Sequence, residues 1–227
     1  MHIEAGVVSG AKMLLSYGTA VAVGGVTLKL AVDNIKQNGI LSLIVKSILS
    51  TILVFCCFEV LPHVPVGVSE VHLILGTTIF LIFGIAPAAI GLAIGLLLQG
   101  VLFAQFDLPQ YDINMTTLLA SIFILQYAVK KIIPENIAYK DISYTQMLKM
   151  SAVWQGAIVS WVAFWAFYGQ GFSVETLVSV FSFGGAYMSV ILIEPLVDLA
   201  VLAFIKTYSS TNSLYFDKRV YCKHTVL

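Results

Sequence analysis

The length of its apolar runs constrains this chain more than any other feature. Predominantly apolar stretches fall at residues 7–31, 38–60, 71–86, 88–105, 116–133, 146–168 and 175–206. A helix needs about 20 residues to cross roughly 30 Å of hydrocarbon. Most of the runs meet that length, which predicts an all-α polytopic membrane protein with about seven transmembrane helices, folded as one integral membrane domain over residues 1–227. The third and fourth runs form a single stretch broken at Gly84-Ile85-Ala86-Pro87, a turn signal. Each half is at the short edge for spanning, so six spans follow if that pair is re-entrant. Composition points the same way: 59% of residues are hydrophobic and only 11% charged, whereas soluble domains carry about 25% charged residues. A water-soluble enzyme does not fit this balance.

The lysines and arginines set an orientation. With the N-terminus outside, Lys29, Lys36, Lys46, Lys130, Lys131, Lys140, Lys149, Lys206, Lys218, Arg219 and Lys223 fall on the inner side, and Lys12 alone falls outside. That arrangement needs an odd number of spans and makes residues 207–227 a cytoplasmic tail, in a multi-pass protein of the cell (inner) membrane. Glu4, Glu59, Glu70, Asp107, Asp112 and Glu175 leave the outer mouth acidic, which would concentrate cations there. The twelve basic and twelve acidic residues leave no net charge to favour nucleic acid. The first residues lack the basic region of a signal peptide, with Glu4 in its place, so they read as mature sequence. No Gly-x-x-x-x-Gly-Lys-Ser/Thr motif occurs, so the chain holds no P-loop for a nucleotide. A pump built on it would draw its ATPase from another subunit.

The few histidines gather outside. His2 opens the chain, His63 and His72 flank the start of the third run, and His224 sits in the tail. An N-terminal Met-His offers the α-amine of Met1, the amide nitrogen of His2 and its imidazole. Binding through all three closes a five- and then a six-membered ring. Ni(II) and Cu(II) favour such nitrogen fields, and a second imidazole from a nearby loop would complete four ligands. Cys222 and His224 make only a lone Cys-x-His, too small for a zinc site. The adjacent Cys56 and Cys57 read as packing residues.

The opening Met1-His2-Ile3-Glu4-Ala5-Gly6 resembles the Met-His-Ile-x-x-Gly start of the CbiM/NikM family, the membrane-embedded substrate-binding components of energy-coupling-factor transporters for cobalt and nickel. The segment Pro62-His63-Val64-Pro65-Val66-Gly67-Val68-Ser69-Glu70-Val71-His72-Leu73 is similar to that family's His-Val-Pro-Val-Gly-x-Ser-x-Val-His-Leu. Leu98-Gln99-Gly100 through Asn114 matches its Leu-Gln-Ala…Asn spacing, and Ile193-Glu194 stands where it shows Ile-Glu-Gly. The resemblance implies a non-enzymatic substrate-binding permease subunit that captures Co(II) or Ni(II) outside as transported substrate. Its ligands would be Met1, His2 and His72. His63 would substitute or lie behind the ligands, and Asn114 and Gln99 would support the imidazoles. It also implies partners: a transmembrane coupling (T) component, ATPase subunits and a small accessory membrane subunit. The chain departs from the family at Phe103-Ala104-Gln105-Phe106-Asp107, where a Phe-Gly-His-Gly-Gly-like run is usual. It departs again at Pro195, which replaces a glycine, and at Asp198, which replaces a threonine.

Glu194 and Asp198 are four residues apart and so share one helix face. Ionisable residues within a span point to function by default. Placed toward the cytoplasmic half, they read as a contact with a partner subunit or as side chains snorkelling to the inner interface. The alternative function, a secondary cation transporter or channel, would use this pair as its path and need no ATPase. Trp154, Trp161, Phe164, Trp165, Phe167 and Tyr168 read as an interfacial belt and packing.

Overall fold

A computed structural model describes residues 3–208 and 214–221; Met1, His2, Cys222 and His224 lie outside the described residues. The chain runs α1 (Met13–Asn38), α2 (Ile40–Glu59), β1 (Val64–Val66), β2 (Ser69–Val71), α3 (Gly76–Phe83), α4 (Ile85–Leu102), α5 (Tyr111–Ile132), α6 (Tyr144–Gln170), α7 (Val174–Met188) and α8 (Glu194–Tyr208). Six helical stretches are long and apolar enough to cross a membrane, the last of them joining α7 and α8. Large apolar side chains point outward from α1 and α2, among them Leu14, Val21, Leu28, Ile44, Ile48 and Ile52, as lipid-facing surfaces require.

The seventh expected helix is α3, and it is short. Eight residues rise only about 12 Å, too little to cross alone. The missing length is supplied at both ends. Residues 72–75 lead in without helical structure, and the C-terminal segment meets α3 from the other side, where the Asp217 amide donates to the Ile82 carbonyl at 2.7 Å. All eight residues of α3 are buried, so its free backbone groups find partners in protein and not in lipid. The run 71–86 thus contributes a half-length helix within the bundle.

Close approach holds the helices around it. Gly91 and Gly95 on α4 face α2, and a Cβ there would lie 2.0 Å from Ser50 Oγ and 2.6 Å from Val54 Cγ1. This is the small-x-x-x-small packing that membrane helices use when hydrophobic burial gives them no reason to associate. Gly76 abuts the indole of the fully buried Trp154 in the same way. Trp154 and Trp165 are therefore core residues, whereas Phe164 faces outward. Ser143 and Gln146 close a capping box at the start of α6. The last run is one span in two pieces: the 3₁₀ turn Ser189–Leu192 separates α7 from α8. Pro195 then falls in the first turn of α8, where its missing N–H leaves no bond unmade.

Candidate metal centre

The N-terminal segment, the β1–β2 hairpin and the start of α5 converge at one end of the bundle. The hairpin pairs Val64 with Val71 and Val66 with Ser69. Its turn has Gly67 at φ +62, the position where a type II′ turn needs glycine. A Cβ on Gly67 would also collide with the Ser179 carbonyl of α7 at 2.1 Å. Ile3 bridges Ser69 in antiparallel fashion, and the Glu4 amide donates to the Val68 carbonyl at 3.3 Å. The buried Asn114 accepts the Ile3 amide on Oδ1 at 3.0 Å, and Gln110 Nε2 donates to the Val8 carbonyl at 3.1 Å. Lys12 Nζ reaches the Gly169 carbonyl at 2.8 Å. The backbone from residue 3 onward is thus held from three directions.

His72 follows β2 directly and is 1% exposed. Its Nε2 lies 2.9 Å from Glu70 Oε2. An ionised carboxylate only accepts, so Nε2 carries the proton in the neutral imidazole and the lone pair lies on Nδ1. The Phe58 ring meets the imidazole edge-on at 5.3 Å, and the exposed His63 stacks on it at 4.9 Å between ring centroids. Among the described residues no three His, Cys, Asp or Glu side chains gather as ligands; the two further donors that the sequence analysis names, Met1 and His2, are outside them.

The supporting residues differ from expectation in one respect. The acceptor that orients the imidazole is Glu70, which the sequence places in the hairpin motif and among the acidic residues of the outer mouth without assigning it to His72. Asn114 spends its carbonyl on the Ile3 backbone instead. Gln99 is buried beside Asp107, Leu108, Tyr111 and Asn114, where it lines a small cavity. The motif spacing placed the histidine and the asparagine in one region, but the partner of each depends on hairpin register, which spacing does not encode.

Glu194 and Asp198 belong to a separate cluster in the bundle interior. Both are 0% exposed, so they neither snorkel nor offer a surface to a partner subunit. The reason is α3: its short length brings Thr77 and Thr78 against the start of α8, where they bond to Asp198, while Ser151 and Gln155 of α6 bond to Glu194. At the far end of the bundle Tyr139 packs under the Arg219 guanidinium, 4.8 Å from the ring centroid. Burial pushes its phenol up to about 12, aided by Asp217 and opposed by Arg219.

A sequence profile of the family described as the cobalt uptake substrate-specific transmembrane region, CbiM, matches residues 2–211. The fold is also similar to a crystal structure of a truncated transition metal transporter, with a TM-score of 0.66 and 16% sequence identity over 92% of this chain and 100% of that one. No curated protein sequence matches significantly. A match over nearly the whole chain, on a bundle of membrane-spanning helices with the same fold as that transporter, makes this multi-pass membrane protein a member of the CbiM family of cobalt uptake transmembrane components.

Proposed function

We propose that the chain is the metal-capturing subunit of an ATP-driven uptake system and binds Co(II) or Ni(II) at the outer face through the Met1 amine, the His2 amide and imidazole, and His72. The anchorage of Ile3 carries this reading. Its bridge to Ser69 is antiparallel, so the strand direction at Ile3 leads back along Glu70 and Val71 toward His72. The two residues before it reach about 7 Å. Glu70 presets the imidazole for ligation, as second-layer carboxylates commonly do. The N-terminus lies outside and the C-terminus inside, in keeping with the basic residues at the α1–α2, α5–α6 and C-terminal connections. Transport relies on a coupling membrane protein and ATPases, with a small accessory membrane subunit, because this sequence has no nucleotide-binding motif of its own.

Two assays test this. In equilibrium dialysis the full chain binds one Co(II) or Ni(II) tightly, and His72→Ala abolishes that tight binding. In cells, labelled cobalt accumulates only when the chain is expressed with an energy-coupling module. Accumulation by the chain alone would instead favour a secondary transporter working through Glu194 and Asp198.

A further inference from the structure

The interior carboxylates are both fully buried and flank one threonine hydroxyl, an environment in which two bare anions repel and one proton between them is favoured. The Thr77 hydroxyl lies 2.5 Å from Asp198 Oδ2 and 3.3 Å from Glu194 Oε1. It has one proton, which the nearer oxygen takes. Glu194 Oε1, at 3.3 Å from that hydroxyl, is then left without a close donor. Thr78 donates to the other oxygen of Asp198, while Ser151 at 2.5 Å and Gln155 Nε2 at 2.7 Å donate to Glu194 Oε2. Neither carboxylate is ion-paired to a basic side chain among the described residues. Gln155 is 0% exposed, and its Oε1, on the carboxamide held against Glu194, has no hydrogen-bond partner. From α7 the fully buried Tyr187 faces Glu194 with a hydroxyl that is also unpartnered, and Cys57 of α2 is the remaining titratable neighbour.

We propose that this ring of oxygens is an internal cation site that holds one proton when empty and takes a divalent transition-metal ion in exchange for it. The charges balance. With one proton the pair carries one negative charge; when the metal enters, Glu194 releases its proton to solvent, and two carboxylates neutralise the ion. Donors are then Glu194, Asp198 and the free carbonyl of Gln155, with the threonine hydroxyls alongside. Carboxylate and carbonyl oxygens accept Co(II) and Mn(II) more loosely than nitrogen chelates do, as a site that must pass its ion onward requires.

Its placement suits a second station on the path. Thr77 follows His72 by five residues, at most about 18 Å along the chain. Leu75 between them sits in the left-handed region at φ 55, a conformation that a leucine holds only under constraint from its surroundings. The non-helical residues that begin at the capture histidine thus join directly to the helix bearing the ring. The inference rests on the proposed metal-uptake function, and the test separates the two.

The experiment uses the full-length chain in detergent with His2→Ala and His72→Ala, which removes the outer chelate. After long equilibration with Co(II), this variant binds one ion weakly and releases one proton per ion into lightly buffered solution, and adding Glu194→Gln and Asp198→Asn abolishes both signals. Wild type measured in parallel reports on the outer site, so loss of tight binding there would count against the uptake reading alone. Absence of Co(II) binding in the His2/His72 variant, or binding that survives the carboxylate substitutions, would overturn the internal site. Thermal unfolding of each variant shows that it remains folded, and Mn(II) electron paramagnetic resonance on the same variants repeats the test with a second ion that prefers oxygen.

Discussion

At the scale of single residues, two side chains divide the work that sequence spacing assigns to one group of supporting polar residues. Glu70 orients His72, and Asn114 fixes the backbone beside it. Glu70→Gln keeps the shape and loses the charge-assisted bond, so metal affinity falls by about 10- to 100-fold, the usual cost of removing a carboxylate behind a ligating histidine. Isothermal titration with Ni(II) checks this, and an unchanged affinity would show that Glu70 is a bystander. Asn114→Ala leaves the buried Ile3 amide without an acceptor, which costs about 1–3 kcal/mol. Both the unfolding temperature and the metal affinity then drop, because the same bond serves the fold and the position of the ligands. The pH dependence has a definite sign. The α-amine and imidazole ordinarily titrate near 7.7–8.0 and about 6.5, and both bind metal only when deprotonated. Affinity therefore falls steeply as pH drops below neutral, and binding that is flat down to about pH 5 would exclude the chelate.

At the scale of elements, the short α3 explains most of what the sequence left hidden. Apolar length was enough to read seven helical runs, of which six are long enough to cross, and the turn at Gly84 was visible as a break. The hairpin was not, because Val64–Val71 looks like loop sequence until its turn, its pairing and its seat against α7 are seen together. Burial of Glu194 and Asp198 was equally invisible: two carboxylates near a proline on the last helix suggest an edge, and only the threonines of α3 turn them inward. Periodicity reports one face of a helix and says nothing of the element that covers it. The α2–α4 contact can be tested directly. Gly91→Leu drives a side chain into Ser50, and overpacking of this kind costs roughly 1–3 kcal/mol, occasionally more. Thermal unfolding in detergent shows the loss, whereas Gly156→Leu, which meets open space, leaves stability nearly unchanged.

At the scale of the whole molecule, the two ends of the bundle differ in chemistry. One gathers the N-terminal segment, the hairpin, Glu70 and the start of α7. The other gathers Lys36, Lys130, Lys131, Lys140 and Arg219 around the loops and the C-terminal segment. Single cysteines at Lys36 and Lys131 in a cysteine-free background are expected to react with an impermeant maleimide only from the cytoplasmic side, and one at Phe172 only from outside. The reverse labelling would invert the topology. On the proposed function, such an asymmetric bundle captures its cation at the acidic end and passes it on through partner subunits. The most direct test of that account compares Ni(II) and Co(II) titrations of the chain with its native N-terminus and the chain with one Gly-Ser pair ahead of Met1, any affinity tag being at the C-terminus. Loss of tight binding in the extended form is the predicted result, since the chelate needs the free amine. Equal binding by both forms would contradict it and move the site to the side chains of the hairpin, His63 and His72 among them.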